Sequence, residues 1–161
     1  MARYIEVILT KRDVRCVAKL LDDVAPKTCE AVWQALPQEG NAFHAKYASH
    51  EIYALVPPFA ETEPGLEHTT LTPIAGDLLY FYLPPGAVYI PEVCDVADQT
   101  GVVDLAIFYN RDNFLFSPNV GPIPGNRFAT ITENLEVIAQ AGDNIWREGF
   151  AGERLLFRRL A

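Results

Sequence analysis

The chain has 161 residues, of which 50% are hydrophobic and 21% charged. This is enough apolar material for one domain with a substantial core, and it excludes an intrinsically disordered protein. With 13 basic and 21 acidic residues the net charge is −8, which argues against nucleic acid or an anionic membrane as partner. We therefore expect a single domain spanning residues 1–161.

The cysteines and the N-terminal sequence indicate the cellular compartment. Cys16, Cys29 and Cys94 are far apart and form no CxxC motif, so no disulfide framework is expected. Residues 1–6 alternate between polar and apolar and do not resemble a signal peptide. No apolar stretch is long enough to span a membrane. These features predict a cytoplasmic location.

Apolar periodicity predicts the secondary structure in chain order. Seven strands are predicted, at Tyr4–Leu9, Cys16–Leu21, Ser49–Leu55, Leu78–Leu83, Val102–Tyr109, Arg127–Ile131 and Arg154–Leu160, and Phe114–Phe116 is a possible eighth. A helix is predicted to begin at Pro26 and to end before Pro37, where apolar residues recur at helical spacing.

The remaining segments are predicted as loops, one further helix and one unassigned region. Gln38–Asn41 is predicted as a loop and Glu61–Glu67 as an exposed acidic excursion. Ala87–Thr100 is left unassigned. A second helix is predicted with Thr132 as its N-cap and Gly142 as its C-terminal stop. The pattern favours a mainly β fold, either a barrel or a sandwich.

Three segments resemble the cyclophilin-like family. Ala25-Pro26-Lys27-Thr28-Cys29-Glu30 is similar to the family segment that enters its first helix. Phe43-His44 resembles the Phe-His pair of its next strand, and Arg127–Ile131 resembles a strand that precedes its second helix. The resemblance implies a closed cyclophilin-like β-barrel of about eight strands with two short α-helices.

The catalytic signature of the prolyl isomerases in that family is absent. Their Phe-His pair is followed directly by an arginine, and Ala45 stands at that place here. Prolyl isomerisation needs a cation and hydrogen-bond donors near the proline amide. The sequence is therefore not expected to encode a classical prolyl isomerase.

A nearly end-to-end similarity is to bacterial and archaeal proteins with a cyclophilin-like fold and no established function. The matching patterns lie at Phe43–Tyr53, Leu105–Arg111 and Gly125–Ile131, and the Gly149–Arg154 segment is also similar. This resemblance implies a fold without implying a substrate.

Candidate catalytic residues are concentrated between Phe43 and Tyr53. His44, Glu51 and Tyr53 provide a proton acceptor, a carboxylate and a phenol. If Ser49–Leu55 is a strand, Glu51 and Tyr53 share one face and His50 lies on the other. One pocket would then contain either Glu51 and Tyr53 or His50. The alternative interpretation is a half-exposed strand whose polar residues face water.

Further candidates would bind the ligand. His50, Tyr109, Arg111 and Asn126 are predicted ligand-binding residues. Arg111 could bind a carboxylate in a bidentate manner, although a surface Arg–Asp pair in a hairpin turn explains the same sequence.

No metal or cofactor is expected from the motifs. The positions of His44, His50 and Glu51 match no standard zinc spacing. The Gly121–Asn126 loop lacks the Gly-Lys-Ser/Thr end of a phosphate loop.

The leading hypothesis is a protein that binds or transforms a small polar metabolite, a carboxylate or an amide, by cofactor-free acid–base chemistry. One alternative is a peptidyl-prolyl isomerase-like peptide binder of low or no activity. A second alternative is a non-catalytic oligomeric scaffold. Trp146, Phe150 and an apolar, locally basic C-terminal end predict a homo-oligomer.

Overall fold

In the described part of the chain, a curved antiparallel sheet is accompanied by three helices. The computed structural model describes residues 1–88 and 90–161, except for the side chains of Glu92 and Val96. The strands in this part are β1 Tyr4–Leu9, β2 Val14–Leu20, β3 Gln38–Asn41, β4 Phe43–His44, β5 Glu51–Val56, β6 Thr69–Thr70, β7 Asp77–Leu83, β8 Val102–Phe108, β9 Phe116–Ser117, β10 Gly121–Pro122, β11 Gly125–Glu133 and β12 Arg154–Arg159. The helices are α1 Pro26–Ala35, α2 Pro91–Thr100 and α3 Leu135–Glu148.

Nine strands follow one path through the sheet, in the order β3-β12-β1-β2-β11-β7-β8-β5-β4. β6 pairs with β11 beside this path, and β9 pairs with β10 in a separate small hairpin. The two ends of the path meet because β3 and β4 are separated only by Ala42. Gly40 in β3 lies so close to β5 that a Cβ there would stand 3.2 Å from the Leu55 carbonyl oxygen. The sheet is thus a nearly closed barrel, and the prediction of a mainly β barrel is confirmed.

The barrel interior contains the main core. Alternate residues of β5 and β8 point into it, including Ile52, Ala54, Val103, Leu105 and Ile107. Helices α1 and α3 pack against the same core through Cys29, Val32, Ile138 and Ile145. Cys16 and Cys29 are both fully buried, and burial raises the pKa of each thiol to about 12. Both cysteines thus serve packing of the core.

A second apolar cluster covers the outside of β5, β8 and β7. It contains Leu79, Phe81, Ala106, Phe108 and Leu115. Leu115 comes from residues 109–124, which we call the covering segment because they run back over this outer face after β8. The outer face is therefore partly shielded from solvent, which is an unusual place for charged side chains.

The helices differ from the sequence prediction in number and bounds. The unassigned region contains α2, which begins at Pro91 and buries Ala97. α3 begins at Leu135, after Asn134 in the left-handed conformation with φ 64°. Thr132 is therefore not its N-cap, since β11 continues through it to Glu133.

Gly142 does not end the second predicted helix, because α3 continues to Glu148. A Cβ at Gly142 would stand 2.6 Å from the Tyr109 ring. The glycine is thus explained by the close approach of that ring rather than by a helix terminus.

The prediction of a loop at Gln38–Asn41 is wrong, because these residues form β3 and pair with β12. Their composition has low β propensity. The strand forms because β12 offers an unpaired edge and Gly40 permits close packing on β5. Tertiary pairing has overridden local preference at this position.

None of the helices in the described ranges has the length and apolarity needed to cross a bilayer.

Glu153 joins the β1–β2 turn to the start of β12. Its side chain is fully buried and accepts hydrogen bonds from the Lys11 backbone N–H at 2.8 Å and the Arg154 backbone N–H at 2.9 Å. Arg12 donates a third bond from Nη1 at 3.0 Å. Removing this carboxylate would leave two backbone donors and one guanidinium without their partner.

We expect Glu153→Ala to lower the free energy of unfolding by about 3 kcal/mol, because it breaks a buried, hydrogen-bonded ion pair. Glu148 provides a matched control: it faces the same Arg12 at 3.8 Å with a side chain that is 71% exposed. Glu148→Ala should cost less than about 0.5 kcal/mol. Urea denaturation of both variants measures the difference, and equal losses would contradict the structural role of Glu153.

Candidate functional site

Strand β5 separates the candidate residues onto two faces. In its antiparallel register with β8, Glu51 lies opposite Phe108, Tyr53 opposite Ala106, and Leu55 opposite Asp104. Directly opposed residues of antiparallel strands share a face. Glu51 and Tyr53 therefore lie on the outer face of the barrel, and Asp104 lies on that face too.

A small cavity of about 100 Å³ lies on this outer face. It is lined by Ala48, Glu51, Phe81, Leu83, Asp104, Leu115, Phe116 and Ile123. Two carboxyl groups thus face a space that is otherwise lined by hydrocarbon. We call this space the carboxyl cavity, and its volume would hold a few water molecules or a small organic group.

Burial controls the ionisation of Glu51. The residue is 7% exposed, and loss of solvation raises the pKa of its carboxyl to about 8. No described side chain donates a hydrogen bond to it or forms an ion pair with it. Glu51 is therefore a carboxyl group that retains its proton near neutral pH.

Asp104, which is half-buried, has the same physical problem. Burial raises the pKa of its carboxyl well above the ordinary value, and the nearby charge of Glu51 raises it further. Its Oδ1 atom is buried and has no hydrogen-bond partner among the described residues. Burial, followed by the charges of Asp104 and Glu51, also raises the pKa of Tyr53, which lies between the two on the same face. The cavity thus contains an uncompensated acidic pair.

His44 lies on the opposite face, in contact with Tyr109. Its Nδ1 is 2.9 Å from the Ala45 carbonyl oxygen, which can only accept, so Nδ1 carries the hydrogen. Nε2 lies 2.6 Å from the Tyr109 hydroxyl and accepts a hydrogen bond from it when the ring is neutral. Burial is the main reason that the pKa of His44 is lowered, which favours this neutral form. Both ring nitrogens are therefore occupied.

His50 and Arg111 occupy the same end of the barrel as His44. The His50 ring meets the Tyr109 ring edge-on at 5.6 Å, and its Nδ1 is 2.8 Å from the Arg111 carbonyl oxygen. The Arg111 side chain is 83% exposed and pairs with Asp112 at 3.3 Å. The structure thus brings His44, His50 and Tyr109 together, with Arg111 at the adjoining surface, away from the Glu51 carboxyl.

Asn126 lies apart from both groups and holds the acidic excursion in place. Its Oδ1 accepts from the Glu67 backbone N–H at 3.0 Å, and its Nδ2 donates to Thr28 Oγ1 and to the Gly65 carbonyl. Glu67 in turn accepts from the Thr28 backbone N–H at 2.8 Å, at the start of α1. The excursion is thus anchored to the barrel rather than simply exposed. Asn126 also lines a neighbouring cavity of about 230 Å³ with Glu63 and Tyr80.

Asp104 was not among the candidates from the sequence. It is the one charged residue in the apolar run Val102–Phe108, and a lone carboxylate in a buried strand is the signal that would have found it. Within the described residues, no group of three or more His, Cys, Asp or Glu side chains is placed to hold a metal ion.

Comparison with solved structures shows similarity in fold at low sequence identity. The structure of McbB in complex with tryptophan matches with a TM-score of 0.63 and 17% identity over 96% of this chain. The match covers 44% of McbB, so this chain spans less than half of that protein. The hypothetical protein AF2241 from Archaeoglobus fulgidus matches with a TM-score of 0.51 and 17% identity, covering 99% of this chain and 95% of that one.

No curated protein matches the chain. The family model described as "Protein of unknown function (DUF3830)" matches residues 7–157. Because this match includes almost the whole barrel, from β1 to β12, the chain belongs to the DUF3830 family of proteins of unknown function.

Proposed function

We propose that this protein transforms a small polar metabolite by proton transfer at Glu51 and Asp104, on a barrel of the cyclophilin-like type. The observation that carries the proposal is the pair of buried carboxyls facing one cavity without a counter-ion in the described part of the chain. Such a pair is costly to bury. Perturbed carboxyls in a concave site are typical of acid–base catalysis.

The pair can supply both an acid and a base. Burial and mutual repulsion keep a proton on the pair near neutral pH. With one proton on the pair, the protonated carboxyl donates to the substrate while the ionised carboxyl accepts a proton from it. After product release, proton exchange between the two carboxyls or with water restores the starting state. No step requires a cofactor, because both proton positions are on side chains.

The size and charge of the carboxyl cavity limit the substrate. About 100 Å³ admits the reacting group of a metabolite rather than the whole molecule, with the remainder lying against Phe116 of the covering segment. Acidic side chains repel a carboxylate, so an amide or another polar group faces the pair. McbB, a protein of similar fold, is bound to tryptophan, which supports a ligand of amino-acid size.

The sequence identifies His44 as a candidate catalytic residue, but in this proposal it has a positioning role. Its two ring nitrogens are used by Ala45 and Tyr109, and it lies on the other face of the β4–β5 pair. We assign it to positioning this end of the barrel, and we assign the proton transfer to Glu51 and Asp104.

The contribution of Glu51 to the stability of the protein should fall as the pH rises from about 4.5 to 8. The folded-state pKa of Glu51 lies above its ordinary value, so the folded chain binds this proton more tightly than the unfolded chain across that range. Glu51→Gln removes the ionisation and keeps the shape. We expect its melting temperature to exceed that of the wild type at pH 9, and the gain to shrink towards pH 5.

Glu61→Gln is the matched control for this experiment, since Glu61 is exposed on the acidic excursion. Its stability difference from the wild type should stay near zero at every pH. A Glu51→Gln effect that does not change between pH 5 and pH 9 would contradict the buried ionisation.

Catalysis can be tested without knowing the substrate. The protein is incubated in D₂O with a deproteinised bacterial metabolite extract, and mass spectrometry follows both deuterium incorporation and consumption of individual compounds. Proton transfer to or from carbon labels a compound even when its mass is otherwise unchanged. We expect Glu51→Gln and Asp104→Asn each to reduce labelling or consumption by about 10²-fold or more.

Glu61→Gln should act on the same compounds at the wild-type rate. Full activity in both Glu51→Gln and Asp104→Asn would overturn the assignment of proton transfer to this pair. An extract left unaltered by the wild type would count against an enzymatic role.

A further inference from the structure

The electrostatics of the carboxyl cavity identify the charge of the ligand. We infer that the cavity binds an organic ammonium ion, a protonated amine carried by a small molecule, between the carboxyls of Glu51 and Asp104. This inference deepens the proposed function, because it assigns a substrate class to the same site. It rests on contacts, burial and the lining of the cavity.

The first support is that neither carboxyl of the cavity has a positively charged partner in the described part of the chain. Glu51 is 7% exposed and Asp104 Oδ1 is buried without a hydrogen-bond partner. In the described part of the chain, no salt bridge reaches either carboxyl. Other buried acids of this protein are compensated: Glu153 pairs with Arg12 at 3.0 Å, and Asp77 pairs with Arg127 at 2.6 Å. The carboxyl cavity therefore has acceptors for a cation that the chain itself does not supply.

The second support is the position of the two acids on the sheet. They are offset from each other by four residues along the sheet, since Glu51 is opposite Phe108 and Asp104 is opposite Leu55. Their side chains approach a shared space from two sides rather than forming a pair in direct contact. An ammonium group has several N–H donors pointing in different directions, so it can donate to both carboxyls at once.

The third support is the apolar and aromatic remainder of the lining. Phe81 and Phe116 provide aromatic rings, and Leu83, Leu115 and Ile123 provide hydrocarbon. Aromatic faces attract organic cations, and hydrocarbon accepts the carbon atoms attached to the nitrogen. A calcium or magnesium ion needs at least six oxygen ligands, and the lining side chains other than the two acids contain no oxygen. The lining therefore favours an ammonium ion over a metal ion.

The exposure of the cavity lining and the negative net charge of the protein are both compatible with an ammonium ligand. Phe116, which lines the cavity, is 44% exposed and stacks on Phe114 with ring centroids 6.3 Å apart, so the lining reaches the protein surface at this residue. The net charge of −8 attracts cations to the molecule as a whole. A small amine can thus approach and enter beside an aromatic side chain.

The test uses methylammonium and tert-butylammonium as probes and follows binding by NMR. The methyl groups of Ala48, Leu115 and Ile123 line the cavity and report occupancy directly. Both ammonium ions should shift these signals in a saturable manner. Three control compounds should not shift them: tert-butanol, which has no charge; acetate, which is negatively charged; and Mg²⁺, which has the wrong shape for the site.

Glu51→Gln and Asp104→Asn should each weaken binding by about tenfold or more, since each removes a carboxyl that can ionise when the ammonium ion binds beside it. Glu61→Gln, on the exposed excursion, should leave it unchanged. Equal binding of tert-butanol and tert-butylammonium would overturn the inference, as would undiminished ammonium binding by both cavity variants. Saturable binding of Mg²⁺ at these methyl signals would overturn it in favour of a metal.

The binding experiment and the deuterium-labelling experiment can fail independently. If no ammonium ion binds while Glu51→Gln still abolishes deuterium labelling of metabolites, the substrate class is wrong and the proton-transfer role stands. If ammonium ions bind through Glu51 and Asp104 but the variants retain full catalytic activity, the site is a binding site and the catalytic proposal fails.

Discussion

The two-residue period of β5 is the constraint on which the candidate site depends. β5 lies between β8 and β4 in the sheet, so one of its faces must fill the barrel and the other must face outward. Ile52 and Ala54 occupy the inner face. Glu51 and Tyr53 consequently face outward, where the register with β8 adds Asp104. A shift of β5 by one residue would turn Glu51 into the barrel core and turn Ile52 and Ala54 outward.

The acids would be unremarkable if this outer face were open to water. It is covered instead by the outer apolar cluster and by the covering segment, so two carboxyls lie in an environment that penalises their charge. A structural role would be served better by apolar side chains of similar volume. The pair therefore makes the fold less stable at neutral and alkaline pH, and that cost is understandable if the site needs acidic groups for its chemistry or its ligand.

Much of the barrel was predictable from periodicity, and part of the site was not. Tyr4–Leu9 and the core of Val102–Phe108 carry strong strand patterns, and Pro26 marks the start of α1. β3 was missed because Gln38–Asn41 forms a strand only through tertiary pairing. The separation of Glu51 from His50 followed from strand alternation. The contribution of Asp104 did not, because it depends on the β5–β8 register, and neither the register nor the covering segment can be derived from local sequence.

The central claim is that Glu51 and Asp104 form a buried acidic pair that retains a proton near neutral pH. The most direct measurement is a pH titration of the side-chain carboxyl carbons by ¹³C NMR, with Glu51→Gln and Asp104→Asn used to assign the two signals. We expect Glu51 to titrate near pH 8, and Asp104 far above the ordinary aspartate range. Titration of both carboxyls near pH 4, as for solvent-exposed groups, would contradict the claim.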